Sequence, residues 1–268
     1  MRKTHIPRAG AVAIVLTAAA VLAPATTAAA EPDPTIVLVH GAFADTTSWD
    51  RVAAALRADG HRVVVPDNPL RGPGNDAAAI EQTLATIDGP IVLVGHSYGG
   101  AVITNVADPD VTALVYVAAF APAQGEPAQL ALDPIRFPGS RLLPPVLMVA
   151  PVDDPDGIAG KNLDGYVDPG SFHEVFAQDV DAATAATMNA HQRSLALSAN
   201  LEPSGPTSWS TVPSWYLVSG HDRVIPPASQ RHMAQRIGAH VSEVPASHAS
   251  LVSRPDAVVS VIEQAASR

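Results

Sequence analysis

Three residue types able to do nucleophilic chemistry stand well apart in this 268-residue chain: a serine, an acid and a histidine. The serine is Ser97, in "IVLVGHSYGG" from Ile91 to Gly100. An apolar, β-branched run leads into it, and Gly95 and Gly99 flank it two positions away on either side. At a tight strand-to-helix turn the backbone at the serine is strained, and its neighbours two residues away nearly collide. Glycine at both places removes the Cβ atoms that would clash, and the turn pushes Oγ out above the sheet. A serine hydroxyl is a poor nucleophile unless a base takes its proton, and the base needs an orienting acid.

Where a serine sits on such a turn, the acid follows it in the chain and the histidine follows the acid. Ten histidines are present. His5 lies near the N-terminus, and His40 and His96 belong to other motifs. His61 and His240 start predicted strands, while His173, His191 and His232 fall in an irregular middle region or on helices. His248, in "PASHASL", stands between the last predicted strand and the last predicted helix. The acid is placed at Asp222, in "WYLVSGHDRVIP", just after a glycine that frees the turn; His221 beside it is read as a bystander. Asp45, Asp67, Asp153 and Asp154 come in the wrong order or in the irregular region. Ser97, Asp222 and His248 are therefore the predicted catalytic set.

Acyl transfer also needs two N–H donors for the developing oxyanion. One is predicted to be the backbone of Tyr98, at the start of the helix after Ser97, where the helix dipole helps. The other is predicted at Ala42, in the loop "HGAF". Each donor is worth roughly 3 kcal/mol of transition-state stabilisation.

The elements that must position these groups alternate in type. "TIVLV" reads as a buried strand, "WDRVAAALRAD" as a helix stopping at Gly60, "HRVVVP" as strand and "NDAAAIEQTLATI" as helix. "PIVLV" is strand, "YGGAVITNVA" helix and "VTALVYVA" strand. The rhythm resumes with "VPSWYLVSG", the helix "PPASQRHMAQRIG", the strand "HVSEV" and a closing helix from Pro255 to Ala266. Strand and helix alternating at this spacing predict an α/β fold, a mostly parallel sheet flanked by helices. Between about Ala121 and Thr211 prolines break the pattern. This segment is too long for an ordinary loop, so it is read as an inserted lid. Phe120, Phe137, Leu142, Leu143, Met148, Tyr166, Phe172 and Phe176 either line an apolar cleft or, for most of them, form the lid's own core.

Residues 1–30 are read separately, as a secretory signal. Arg2, Lys3 and Arg8 precede an apolar run from Ala11 to Ala23, and Ala28-Ala29-Ala30 supplies a small-residue cleavage site, leaving a mature domain of residues 31–268. The run falls short of the ~20 residues a membrane-spanning helix needs, so no stable membrane anchor is expected, and export to the periplasm or beyond is. Cleavage removes three of the 16 basic residues and none of the 26 acidic ones, for a formal charge of −13. Such a charge argues against nucleic acid and anionic membranes as partners. There is no cysteine and no H-E-x-x-H, and neither disulfides, a metal nor a cofactor is predicted. "GPGNDA" imitates a dinucleotide fingerprint and "DDPDG" a calcium loop, but Pro73 stiffens the first and the ligand positions of the second are wrong.

"LVHGAF", "LVGHSYGG", "GHDRVIPP" and "SHASLVSRPD" together resemble the α/β-hydrolases of the plant methylesterase and hydroxynitrile-lyase branch, with its bacterial esterase relatives. The likeness runs from about Thr35 to the C-terminus and is weakest in the insertion. It implies cofactor-free chemistry on small molecules: ester hydrolysis through an acyl-enzyme on Ser97, or cyanohydrin cleavage on the same scaffold. The best-known lyases carry threonine where this chain has Gly41 and lysine where it has Ala249, which favours the ester. A ligand-binding protein that keeps the fold without turnover is the third reading, and the intact serine, acid and histidine argue against it.

Overall fold

A computed structural model describes residues 33–267, together with residues 1–3, 5 and 10. Most of the predicted export signal thus lies outside the described residues. Among the described residues no helix is long and apolar enough to cross a membrane.

Six strands form one parallel sheet: β1 (Thr35–Val39), β2 (Val63–Val64), β3 (Ile91–His96), β4 (Val111–Val117), β8 (Ser214–Ser219) and β9 (His240–Val244), in the order β2-β1-β3-β4-β8-β9. β1 and β3 are buried along their whole length, as the continuous apolar runs require when both faces are covered. Successive side chains go to opposite faces. Val37, Val39, Leu93, Tyr116 and Tyr216 pack into one apolar cluster, whereas Ile36, Leu38, Val92, Val94 and Val115 pack into the other. The first cluster takes in α2 (Pro73–Leu84), α3 (Tyr98–Thr104) and α6 (Pro227–Arg236). The second takes in α1 (Asp50–Ala58) and α8 (Pro255–Ala266). The short α7 (Ser250–Ser253) precedes α8.

Several boundaries differ from those read off the sequence. β2 is two residues long instead of the expected six; it is half-buried on the sheet edge, where little packing rewards extension. α2 starts two residues early, at Pro73, a residue whose fixed φ and missing N–H suit the first turn. α3 stops at Thr104, because the Asn105 side chain turns back to the carbonyl of Ala101 at 2.8 Å.

The segment from about Ala121 to Thr211 leaves the sheet after β4 and returns at β8, its neighbour. It contains an antiparallel sheet of β5 (Leu147–Ile158), β6 (Lys161–Val167) and β7 (Leu195–Ala196), and the helices α4 (Phe172–Phe176) and α5 (Ala182–Ala190). Phe172, Val175, Phe176 and Leu195 join the first cluster. Among the described residues six ion pairs tie the segment to the rest, Arg223 with Glu174 and Arg236 with Glu126 among them. Arg71 grips Asp164 at 3.0 and 2.5 Å and reaches Asp154 at 3.5 Å; Arg193 pairs with Asp67; His191 meets Asp45 at 2.9 Å. Glu202 accepts the Gly74 N–H at 2.9 Å, a carboxylate on the N-terminal turn of α2. The residues that imitated a dinucleotide loop therefore hold an internal acid.

Candidate active site

Ser97 sits between β3 and α3 with φ 54° and ψ −122°, a strained backbone for any residue with a side chain. The surrounding packing enforces it. A Cβ on Gly95 would stand 2.6 Å from the Gly99 carbonyl oxygen, and one on Gly99 would stand 2.6 Å from that of Val39. These distances leave room for glycine alone. The Ser97 carbonyl accepts N–H bonds from Gly100 and Phe120, both at 3.0 Å, so the turn is held from two sides.

The predicted acid and base converge on this serine from other strand ends. β8 ends at Ser219; Gly220 and His221 carry the chain outward, and Asp222 turns back inside. His248 follows β9 and precedes α7. Its Nε2 lies 2.9 Å from Ser97 Oγ and its Nδ1 lies 2.7 Å from Asp222 Oδ2. All three side chains are buried. Because the carboxylate only accepts, Nδ1 carries the proton and Nε2 is left to receive the serine O–H. The ring is wedged edge-on against Phe176, with centroids 4.7 Å apart, and the His248 carbonyl accepts from His96 Nε2 at 2.9 Å. Burial, and then the nearby His248, push the His96 imidazole well below its usual range, so it stays neutral. His221, beside the acid, is exposed.

The loop after β1 lies directly against the nucleophile. A Cβ added to Gly41 would come 2.7 Å from Ser97 Cβ, 2.8 Å from the His96 carbonyl oxygen and 3.3 Å from Ser97 Oγ. Among the described residues neither the Ala42 nor the Tyr98 N–H meets a protein acceptor, whereas the Phe43 N–H is taken by the Arg193 carbonyl at 3.0 Å. The Ala42 amide is oriented by a residue the sequence reading left without a role. His40 is fully buried; its Nε2 accepts the Asn68 N–H at 3.1 Å, so Nδ1 is the donor to the Gly41 carbonyl at 2.9 Å. In a trans peptide the C=O and N–H point opposite ways, so fixing the Gly41 oxygen aims the Ala42 N–H. Burial lowers the affinity of His40 for a second proton, which keeps this arrangement in place.

Tyr98 carries an unforeseen partner as well. Its hydroxyl donates to Asp76 at 2.8 Å, inside the core. Burial, then the Asp76 carboxylate, hold the phenol well above its ordinary range. Asp76 also accepts the Arg71 N–H at 3.1 Å, and Arg71 carries the pair with Asp164. A chain of hydrogen bonds thus joins the residue after the nucleophile to the inserted sheet.

Of the other acids set aside in the sequence, Asp45, Asp67 and Asp154 lie in those tethers, and Asp153 pairs with Lys161 within the inserted sheet. Among the described residues no group of three His, Asp or Glu side chains is placed to hold a metal ion. A cavity of about 210 Å³ is lined by Leu142, Leu143, Leu147, Leu195 and Leu197, with Phe43 at its border. A second, of about 240 Å³, is lined by Asp45, Arg51, Thr184, Met188 and His191, and also by Phe43. Of the eight apolar residues considered as a cleft, Leu142 and Leu143 face the first cavity, while Phe120, Phe172 and Phe176 are packed in the core.

Comparison with known proteins agrees with this geometry. The profile of the alpha/beta hydrolase family matches residues 36–261. The chain is 40% identical over 118 residues to a carbendazim hydrolyzing esterase of Nocardioides sp. (strain SG-4G), an alignment covering 38% of this chain and 48% of that protein, about half its length. It is 29% identical over 250 residues to a pyrethroid hydrolase of Sphingobium wenxiniae, covering 85% of each. The crystal structure of polyneuridine aldehyde esterase superposes with a TM-score of 0.74 at 18% identity, over 87% of this chain and 99% of that one, a likeness of fold.

Proposed function

The chain belongs to the alpha/beta hydrolase family, with plant methylesterases and bacterial esterases among its relatives, and from that premise we propose that it is a serine hydrolase of small to medium carboxylic esters. One observation carries the proposal: the unbroken contact from Ser97 Oγ through the His248 ring to Asp222, with distances of 2.9 and 2.7 Å. His248 Nε2 takes the hydroxyl proton as Oγ attacks the ester carbonyl. The carbonyl oxygen becomes an anion facing the Ala42 and Tyr98 N–H groups. Collapse of the intermediate expels the alcohol, which receives the proton back from His248. Water then repeats the sequence on the acyl-enzyme and releases the acid.

The leucine-lined cavity has Phe43, the neighbour of Ala42, in its wall but none of Ser97, Asp222 and His248, and it fits a substrate whose one apolar half, aliphatic or aromatic, extends away from the reacting ester. The two bacterial relatives, one named for hydrolysing carbendazim and one for hydrolysing pyrethroids, fit a substrate of that kind. Gly41 and Ala249 speak for hydrolysis over cyanohydrin cleavage: a threonine side chain at 41 would start 2.7 Å from Ser97 Cβ, and position 249 is fully buried. Export after cleavage near Ala30 is part of the same proposal; intact mass measurement of protein collected outside the cytoplasm tests it, and a stable form retaining residues 11–23 would sink it.

An organophosphonate should label Ser97 alone, with loss of aryl-ester hydrolysis, and Ser97→Ala should abolish both while keeping the fold. A panel varying acyl and alcohol size then locates the apolar half. Labelling at a different serine, or mandelonitrile cleaved faster than every ester, would overturn the reading.

A further inference from the structure

Behind the acid stands a side chain remote from the nucleophile. Gln230 lies on α6, fully buried, eight residues after Asp222. Its Oε1 accepts the Ser219 N–H at 2.9 Å, which fixes the orientation of the amide. Its Nε2 donates one hydrogen to the Ile225 carbonyl at 2.8 Å and the other to Asp222 Oδ2 at 2.7 Å. Oδ2 is the same oxygen that accepts from His248. Oδ1 meanwhile accepts the N–H groups of Val224 and Ile225 at 2.7 and 2.9 Å. Rotating the carboxylate would break bonds at both oxygens. A buried carboxylate needs such donors to remain an anion.

We propose that Gln230 is a positioning residue of the relay: its amide fixes Oδ2 on the His248 Nδ1–H and keeps Asp222 charged in a dry site. The inference rests on the reading of Ser97, His248 and Asp222 as a working triad. It goes beyond that reading in assigning part of the turnover rate to a residue that touches neither base nor nucleophile. A residue serving only to brace the 219–225 loop could give that oxygen no donor and still fill the same space.

Two variants separate these roles. Gln230→Met keeps the volume and removes the donor. Its kcat should fall roughly 10- to 100-fold, the scale of one hydrogen bond to a charged group, with KM within about twofold. Gln230→Glu places a carboxyl oxygen against Asp222 Oδ2 and the Ile225 carbonyl, both acceptors, so it must carry a proton to fit. While protonated it donates its single hydrogen to Asp222 Oδ2 and leaves the Ile225 carbonyl without its donor; once deprotonated, two carboxylates face each other in a buried site. Its kcat should therefore exceed that of Gln230→Met on the acid side and then fall on an alkaline limb that the unmodified protein lacks. A plateau unchanged by Gln230→Glu, an equal change in KM and kcat for Gln230→Met, or failure of Gln230→Glu to fold even at acid pH would each leave Gln230 a purely structural residue. Loss of the triad reading looks different: Ser97→Ala would then retain activity whatever the Gln230 variants do.

Discussion

The parallel sheet and the inserted segment solve the burial of charge in opposite ways. At the sheet's carboxyl end Asp222 is buried with four hydrogen-bond donors, and among the described residues its ion-pair partner is the His248 imidazole. The insertion relies on ion pairs: Arg71 with Asp164 and Asp154, Arg193 with Asp67, His191 with Asp45. Neutral donors fix an anion to a fraction of an ångström without setting up a competing charge, which suits chemistry. Ion pairs in which one partner reaches solvent, as Arg71 does, hold less tightly. The contrast implies that substitutions at the sheet end act on turnover, and those at the tethers on stability and substrate entry.

The largest effect expected is from Asp222→Asn. An amide favours the wrong tautomer of His248 and cannot stabilise the imidazolium, a change worth ~10⁴ in turnover in a well-studied triad. Steady-state kinetics should show it in kcat, with KM nearly unmoved. A near-normal kcat would remove Asp222 from the chemistry.

Gly41→Thr, with or without Ala249→Lys, should come next. The added Cβ meets Ser97 Cβ and the His96 carbonyl inside 3.0 Å, so the loop carrying the Ala42 N–H must move. Ester turnover should drop by roughly 100-fold, the loss of one oxyanion donor. Esterase activity within a few-fold of the parent would show that the loop is not where the oxyanion is held.

Arg71→Met probes the other region. It leaves Asp164, which is 1% exposed, without its cation. Removing one partner of a buried pair costs several kcal/mol, and with Arg71 partly exposed about 2 kcal/mol is expected, or roughly 5 °C in Tm. The comparison predicts that kcat for a small aryl ester survives this change; a fall as large as that of Asp222→Asn would mean the two regions are not separable.

The smallest effects are pH-linked. His40 and His96 both bind protons less readily folded than free, so their stability contribution is complete above the unfolded value of 6.5 and is lost as pH falls below it. Thermal melts should weaken from about pH 6.5 downward, before the carboxylates titrate, and His40→Gln should flatten that early part. Burial opposes the charge on Asp45, but bonds from Thr47 and His191 outweigh it and hold its carboxyl low. Its contribution is present above 3.8 and lost below. Asp45→Asn should cost under about 1 kcal/mol and leave kcat alone.

What the sequence made legible follows the same division. The nucleophile turn could be read because two glycines and a β-branched run leave few alternatives at Ser97, and because parallel strands bring Val39, His96 and Ser219 to one edge. Asp222 and His248 could be placed from chain order alone. His40, Asp76 and Gln230 could not, since each acts on a partner far away in sequence or across a turn, and no local pattern marks a glutamine eight residues past an aspartate. The three-stranded sheet was illegible for a different reason. β5 reads "LMVAPVDDPDGI", and much of it is exposed, so neither alternation nor an apolar run was needed to make it a strand.

Phe43 has one more consequence. It holds φ 59°, a left-handed conformation that strains a phenylalanine and suits glycine, and it lines cavities of about 210 and 240 Å³. Exchanging it for glycine would relieve the backbone and enlarge both cavities in a single step, leaving acid, base and nucleophile as they are. The fold therefore keeps a short evolutionary path to bulkier esters, one along which the gain in substrate range is not opposed by backbone strain.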